Sequence, residues 1–216
     1  MPKSTSTKRK YDSTRRQTQA GETRRQILEA AHKLFIERGY AGATIEAIAK
    51  EAGVALKTVY AVFKNKRKIL VTLLNISSSA SGEENIPVVE RSGPKAVAQE
   101  RDQRRQLQMF AQVVASNLEG AAPIAEIMQV AAKTEADIDK LVQHLNKQRW
   151  QHMGVAVQQV APNGPLRENM DTLYATDTVW TLTSPEVFLL LTRDRGWSKE
   201  KYAEWLADML TRVLLP

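Results

Sequence analysis

Gly53 constrains the fold of this 216-residue chain more than any other position. Ahead of it, Ile45, Ile48, Ala49 and Ala52 recur at helical spacing behind Thr44, a residue type suited to an N-cap. Beyond it the apolar pattern restarts at Val54 and runs through Leu56, Val59, Tyr60 and Phe63. A helix stopped by glycine after about two turns and at once resumed must leave at an angle, which is the pattern of a helix-turn-helix. Upstream, Ile27, Leu28, Ala31, Leu34 and Phe35 form one face of a helix over 22–38, and Gly39 follows where a left-handed C-terminal cap sits. Asn65 is placed to cap a further helix that opens with Lys66, Arg67 and Lys68 and runs on through Leu74.

Charge concentrates at the same end. Residues 1–70 hold sixteen of the 31 Lys and Arg but six of the 24 Asp and Glu, a balance of +10 against −3 for the remainder. Such asymmetry is an electrostatic footprint for a polyanion, whether DNA, RNA or an anionic membrane surface. Residues 1–21, basic and without a large aliphatic side chain, read as a flexible arm suited to phosphate contacts. No apolar run approaches the ~20 residues needed to cross a bilayer, so a spanning helix is excluded. Without cysteine there is no disulfide framework, thiolate zinc site or cysteine nucleophile, and the basic N-terminal stretch lacks the apolar run of a secretory signal. A cytoplasmic location is expected.

Residues 77–94, with their serines, Gly82, Pro87 and Gly93, read as a connection. The signals beyond it are helical. Asp102 or a neighbour starts a helix through Leu118; Pro123 opens another; Thr134 with Asp137 resembles a capping box for a long helix through Val157. Asp171 caps a segment with Leu173 and Trp180, Ser184 and Pro185 begin the next, and Ser198 caps the last, with Trp197 and Tyr202 spaced to staple its entrance. No run alternates with period two. The expected fold is all-α, about nine or ten helices, with a helix-turn-helix unit over 22–70 and a helical body over 71–216.

In a helix-turn-helix the second helix enters the major groove. With Val54, Val59 and Phe63 facing inward, the ~100° helical step turns Lys57, Thr58 and Ala61 outward, with Tyr60 on the flank. Lys57 suits guanine acceptors, and Ala61 or Val62 a thymine methyl. Tyr60, Lys64 and Lys66 suit phosphates, as does Thr44 at a helix N-terminus, although Thr44 reads equally well as a plain cap.

The run Arg25-Gln26-Ile27-Leu28-Glu29-Ala30-Ala31 through Phe35, Gly39-Tyr40, Thr44-Ile45, Ile48-Ala49, Ala52-Gly53-Val54, Thr58-Val59-Tyr60, Phe63, Lys66 and Leu70 closely resembles the DNA-binding domain of TetR-family transcriptional regulators. The tail, Trp180 to Val187 and Arg195 to Ala207, is similar to a C-terminal regulatory domain common in that family. The resemblance implies a homodimer, a cavity for a small-molecule effector, and DNA contacts at Thr44, Lys57, Thr58, Tyr60 and Lys66. The chain departs from the usual pattern at Ala55, where a serine cap is frequent, and at Leu56, Ala61 and Val62, which bears on the operator sequence rather than on groove binding.

The body carries no G-x-S-x-G elbow, no glycine-rich phosphate loop and no H-E-x-x-H. His144 and His152 are eight residues apart, not the four that a helical metal pair prefers. Neither cofactor nor metal is expected. Met109, Phe110, Met128 and His144, with Trp150, Met153 and Trp180, have the composition of a small-molecule pocket, and equally that of a core. The last helices offer Leu173, Trp205, Leu206, Met209, Leu210 and Val213 for packing against a second copy. A two-fold dimer sets two recognition helices ~34 Å apart, hence a palindromic double-stranded DNA operator. The leading expectation is a ligand-responsive regulator, more specifically a repressor. An architectural DNA binder without effector and an enzyme using the helical body are the alternatives.

Overall fold

The computed structural model describes residues 7–79, 83 and 85–216, and the chain divides into two compact units that part between Leu73 and Leu74. All regular structure among the described residues is helical, so the all-α expectation holds.

In the first unit, α1 (Thr7–Gly42) is broken at Gly39, whose φ of 67° is left-handed and free for glycine. Residues 7–21, expected as a flexible arm, are helical backbone here, and residues 1–6 lie outside the described residues. The stretch contains no proline, and its Gln and Arg are good helix formers, so α1 continues outward although Arg16 to Glu22 are exposed. Helices α2 (Ile45–Glu51) and α3 (Leu56–Phe63) follow, then α4 (Lys66–Ser77), capped by Asn65 through a 2.8 Å bond from the Lys68 amide. Ile27, Leu34 and Phe35 of α1, Ile48 of α2, Val59 and Phe63 of α3, and Ile69 and Leu70 of α4 are all fully buried. Helices as short as α2 and α3 are unstable alone, and this shared core is what holds them.

The second unit contains α5 (Ser92–Gln99), α6 (Gln103–Ala132), α7 (Ala136–Val160), α8 (Thr172–Leu182), α9 (Pro185–Leu189) and α10 (Lys199–Leu214). Three local expectations are corrected. Helix α5 lies partly in the segment read as a connection; Gly93 and Pro94 fall in its first turn, where proline costs no hydrogen bond. Pro123 does not open a helix but sits inside α6, which continues past the one ladder bond that proline removes. Thr134 does not cap α7: its hydroxyl donates back to the Ala131 carbonyl, and the N-cap position falls to Glu135 without a side-chain bond. Asp102, Asp171, Ser184 and Ser198 cap α6, α8, α9 and α10 as expected. Beyond Leu189 the chain widens into a π-helical turn, Leu190–Asp194, which closes at Gly196 with a φ of 68°.

The core of this unit runs along α6 (Leu107, Ala111, Ala115, Leu118) and α10 (Tyr202, Leu206, Leu210, Leu214), closed by Val157, Val160, Ala175 and Val179 from α7 and α8. The small alanines of α6 let α10 approach closely. The side chain of Gln106, fully buried, is satisfied by the Val97 carbonyl at 3.0 Å and by the Asn163 amide at 2.9 Å.

Candidate nucleic-acid interface and effector cavity

The turn between α2 and α3 is a Schellman motif. The Val54 amide donates to the Ala49 carbonyl at 3.0 Å and the Gly53 amide to the Lys50 carbonyl at 3.2 Å, with Gly53 at a φ of 66°. This closes α2 and redirects the chain into α3. The entrance to α2 is closed by Thr44, whose hydroxyl accepts from the Ala47 amide at 3.1 Å. Ala55 takes the N-cap position of α3 without a side-chain bond, so the first amides of α3 have no side-chain acceptor there.

Val59 and Phe63 anchor α3 in the core, which leaves Lys57, Tyr60 and Ala61 exposed and Thr58 half-buried. Leu56, which continues the apolar pattern after Val54, is 40% exposed beside Lys57. The reason is rotational: α3 begins at Leu56, and only the face of Val59 and Phe63 meets the core. The surrounding cations fall into two groups. Arg25 pairs with Glu22 and Glu29, and Lys33 pairs with Glu51 at 2.6 Å, which holds the Glu51 carboxyl below the usual carboxylate range. Lys57 and Lys64 make no ion pair with the described residues and are exposed. Lys66 is half-buried, its ammonium donating to the Tyr40 carbonyl at 2.7 Å and lying 4.0 Å from the Tyr40 ring centroid. It ties α4 to the end of α1. Arg24 lies 4.7 Å over the Phe63 ring. The assembly is a short, firmly seated helix with a polar and cationic outer face, dimensioned for a duplex groove.

The second unit holds a half-open cavity of about 290 Å³, with mostly apolar walls from Val114, Leu118 and Met128 of α6, Leu145 and Met153 of α7, and Leu74 in the last turn of α4. Three basic groups also line it. Arg91 is buried, donating through Nε to the Ile86 carbonyl and through Nη1 to the Ser78 carbonyl at 2.9 Å. Arg149 donates to the Trp180 carbonyl at 2.7 Å and stacks on that indole, its guanidinium carbon 4.5 Å from the ring centroid. Burial pulls the Arg149 guanidinium down to about 10, so it remains charged at neutral pH. Burial likewise lowers His152, and the nearby Arg91 charge adds to the effect. A side chamber of about 90 Å³ shares Val114, Asn117, His152 and Met153. A wider trough of about 740 Å³ between α6 and α10 is open, and charges of both signs line it.

Of the residues expected in a pocket, Met128 and Met153 line the main cavity, and Phe110 joins Met153 in the side chamber. Met109 packs against the core, and Trp180 lies beneath Arg149. Trp150 turns to Asp177, donating to its carboxylate at 2.7 Å, and His144 is exposed. Arg91 and Arg149 escaped sequence reasoning. Arg91 lies in the stretch taken for a connection, but Arg149 was open to detection: Leu145, Arg149 and Met153 are spaced by four, which sets a cation in an apolar stripe.

The residues expected at a subunit interface divide. Leu206 and Leu210 are fully buried in the core of their own protomer, so they are not available to a second copy. A helix as amphipathic as α10 spends its widest apolar stripe on α6. Leu173 is 59% exposed and its neighbour Tyr174 60%, while Trp205, Met209 and Val213 are half-buried.

Residues 27–73 match the model for bacterial regulatory proteins of the tetR family. The fatty acid metabolism regulator protein of Bacillus subtilis is 48% identical over 48 residues, 22% of this chain and 25% of that protein, so the aligned stretch spans about a quarter of the relative's length. Among solved structures, NalD of Pseudomonas aeruginosa, the secondary repressor of the MexAB-OprM multidrug efflux pump, superposes with a TM-score of 0.66 at 25% identity, covering 90% of this chain and 97% of that one. FadR of Bacillus subtilis in complex with stearoyl-CoA gives 0.65 at 20% identity, covering 86% and 96%. Residues 27–73 thus match the tetR-family model, and beyond them the chain shares the fold of NalD along most of its length.

Proposed function

We propose that the chain is a ligand-responsive transcriptional repressor, which binds a palindromic operator as a homodimer and is released by a small-molecule effector. The observation that carries this reading is the outer face of α3, where Lys57, Tyr60 and Ala61 stand exposed on a helix that Val59 and Phe63 fix to the core. Lys57 reaches guanine acceptors, and Ala61 with Leu56 meets thymine methyls. Thr58, Tyr60 and Lys64, with the Thr44 end of α2, engage phosphates. Lys66 acts on the duplex side by holding α4 to Tyr40 as well as by its charge.

Repression follows as the simplest consequence of occupying promoter DNA. NalD and FadR support the wider reading, the first as a named repressor and the second as a regulator crystallised with a bound acyl-CoA. Coupling runs through α4, whose first turn carries Lys66 and whose last turn places Leu74 and Asn75 in the cavity lining. An effector that binds better to one placement of α4 shifts the spacing of the two heads, and operator affinity falls by that differential binding energy. No helix of the described residues is long and apolar enough to cross a membrane, in keeping with a cytoplasmic regulator. The body is read as a binder rather than a catalyst, since its polar groups converge on an apolar cavity instead of on a nucleophile and base.

The test is a titration of the full chain with the DNA flanking its own gene. A discrete complex below micromolar protein is expected, and its loss in Thr58→Ala/Tyr60→Ala, with helix content and self-association retained. Steep salt dependence with no preferred sequence would point instead to an architectural DNA binder.

A further inference from the structure

The cavity holds more positive charge than its own walls neutralise. Arg91, 7% exposed, spends its donors on two backbone carbonyls, and Arg149 on the Trp180 carbonyl. Neither forms an ion pair with the described residues. The one acid in the lining is Glu186, near enough to favour the charged form of Arg149 but too far to pair with it, and its Oε1 accepts from the Gln129 amide. Among the described residues, Nε of Arg149 and Nε1 of Trp180 are buried donors without partners, and both belong to one stacked pair, of which Arg149 lines the cavity. Buried cations and buried donors are costly unless something accepts from them. Val114, Leu118, Met128, Leu145 and Met153 offer apolar surface, and the other polar side chains of the lining, such as Asn117, Asn146 and Gln148, carry no charge.

We propose that the cavity takes an organic anion, an apolar body ended by a carboxylate, with the charge received by Arg91 and Arg149 and the body lying along α6 and α7. The proposal rests on the effector reading above and gives that effector a chemical class. Neutral molecules of the same shape would leave both guanidiniums as they are; cations would add repulsion. The volume of about 290 Å³ lies at the lower end of ligand sites, which favours a compact molecule over a long chain.

The experiment is calorimetric titration of the full-length wild-type protein at pH 7.5 with phenylbutyrate, phenylbutanol and phenylbutylamine, which share one body and differ in charge. Phenylbutyrate is expected to bind roughly tenfold to a hundredfold more tightly than the alcohol, the gain of a charge-assisted hydrogen bond, with the amine weakest. Arg149→Met should weaken the acid about tenfold and so narrow its lead over the alcohol, with Arg91 keeping the remainder. Glu186→Gln should strengthen the acid alone by a few-fold, and Met153→Trp, which fills the cavity, should abolish all binding. Because the wild-type series suffices, misfolding of a variant does not blunt the test. Alcohol or amine binding as tightly as the acid overturns this inference and leaves the effector reading standing. Absence of binding by all three also overturns this inference, and the operator titration above then decides the DNA-binding reading separately.

Discussion

Gly53 and Gly21 are both free of steric neighbours at the place a Cβ would occupy, yet they answer differently to substitution. Gly53 has a φ of 66°, a conformation that costs an L-residue about 1 kcal/mol or more, whereas Gly21 lies in the body of α1 and shows no positive φ. Gly53→Ala is therefore expected to destabilise the first unit by about 1 kcal/mol, and Gly21→Ala to stabilise α1 by up to about 1 kcal/mol. Urea unfolding of the full chain, followed by circular dichroism, measures both. Equal signs would show that conformation at Gly53 is not what closes α2. The same residue-by-residue logic separates the lysines: Lys57 and Lys64 stand exposed, but Lys66 is drawn to the carbonyl and ring of Tyr40. Residue type made all three plausible DNA contacts, and only neighbours remote in sequence tell them apart.

At the scale of elements, apart from α5 and the outer stretch of α1, which form where no helix is expected, the departures concern where helices end. Proline reads locally as a start signal, yet Pro123 lies within α6 because buried neighbours on either side, Ala122 and Ile124, hold the helix through the missing bond. Ala121, Ala125 and Met128 flank it on the cavity wall, so the course of α6 at the proline also shapes the ligand site. Pro123→Ala restores a backbone donor. It is expected to raise stability by about 1 kcal/mol or more and to weaken ligand binding, while operator affinity without ligand is unchanged. Thermal unfolding and calorimetry with phenylbutyrate test the two halves separately. A more stable variant that binds ligand as tightly as the wild type would mean that Pro123 has no part in shaping the cavity.

For the whole molecule, the question is which apolar surface meets a second copy. Leu173 and Tyr174 on α8 are the large exposed candidates, whereas Leu206 and Leu210 are consumed by the fold itself. Leu173→Glu is expected to give folded monomers by light scattering, with operator affinity reduced at least tenfold as the two half-sites lose their linkage. Leu206→Ala is expected to cost about 2–5 kcal/mol of stability instead, as a fully buried leucine does. If Leu173→Glu remains dimeric, the α8 face is not the contact. The sequence by itself determined the helical class, the glycine turn, six of the N-caps and the outward face of α3, because each follows from periodicity or from bonds closed within a few residues. Tertiary structure decided that Leu206 and Leu210 turn inward, that Lys66 is held by Tyr40, and that Arg91 and Arg149 share one cavity. Those outcomes depend on which of several chemically equivalent side chains meets a neighbour tens of residues away, and local spacing carries no record of that.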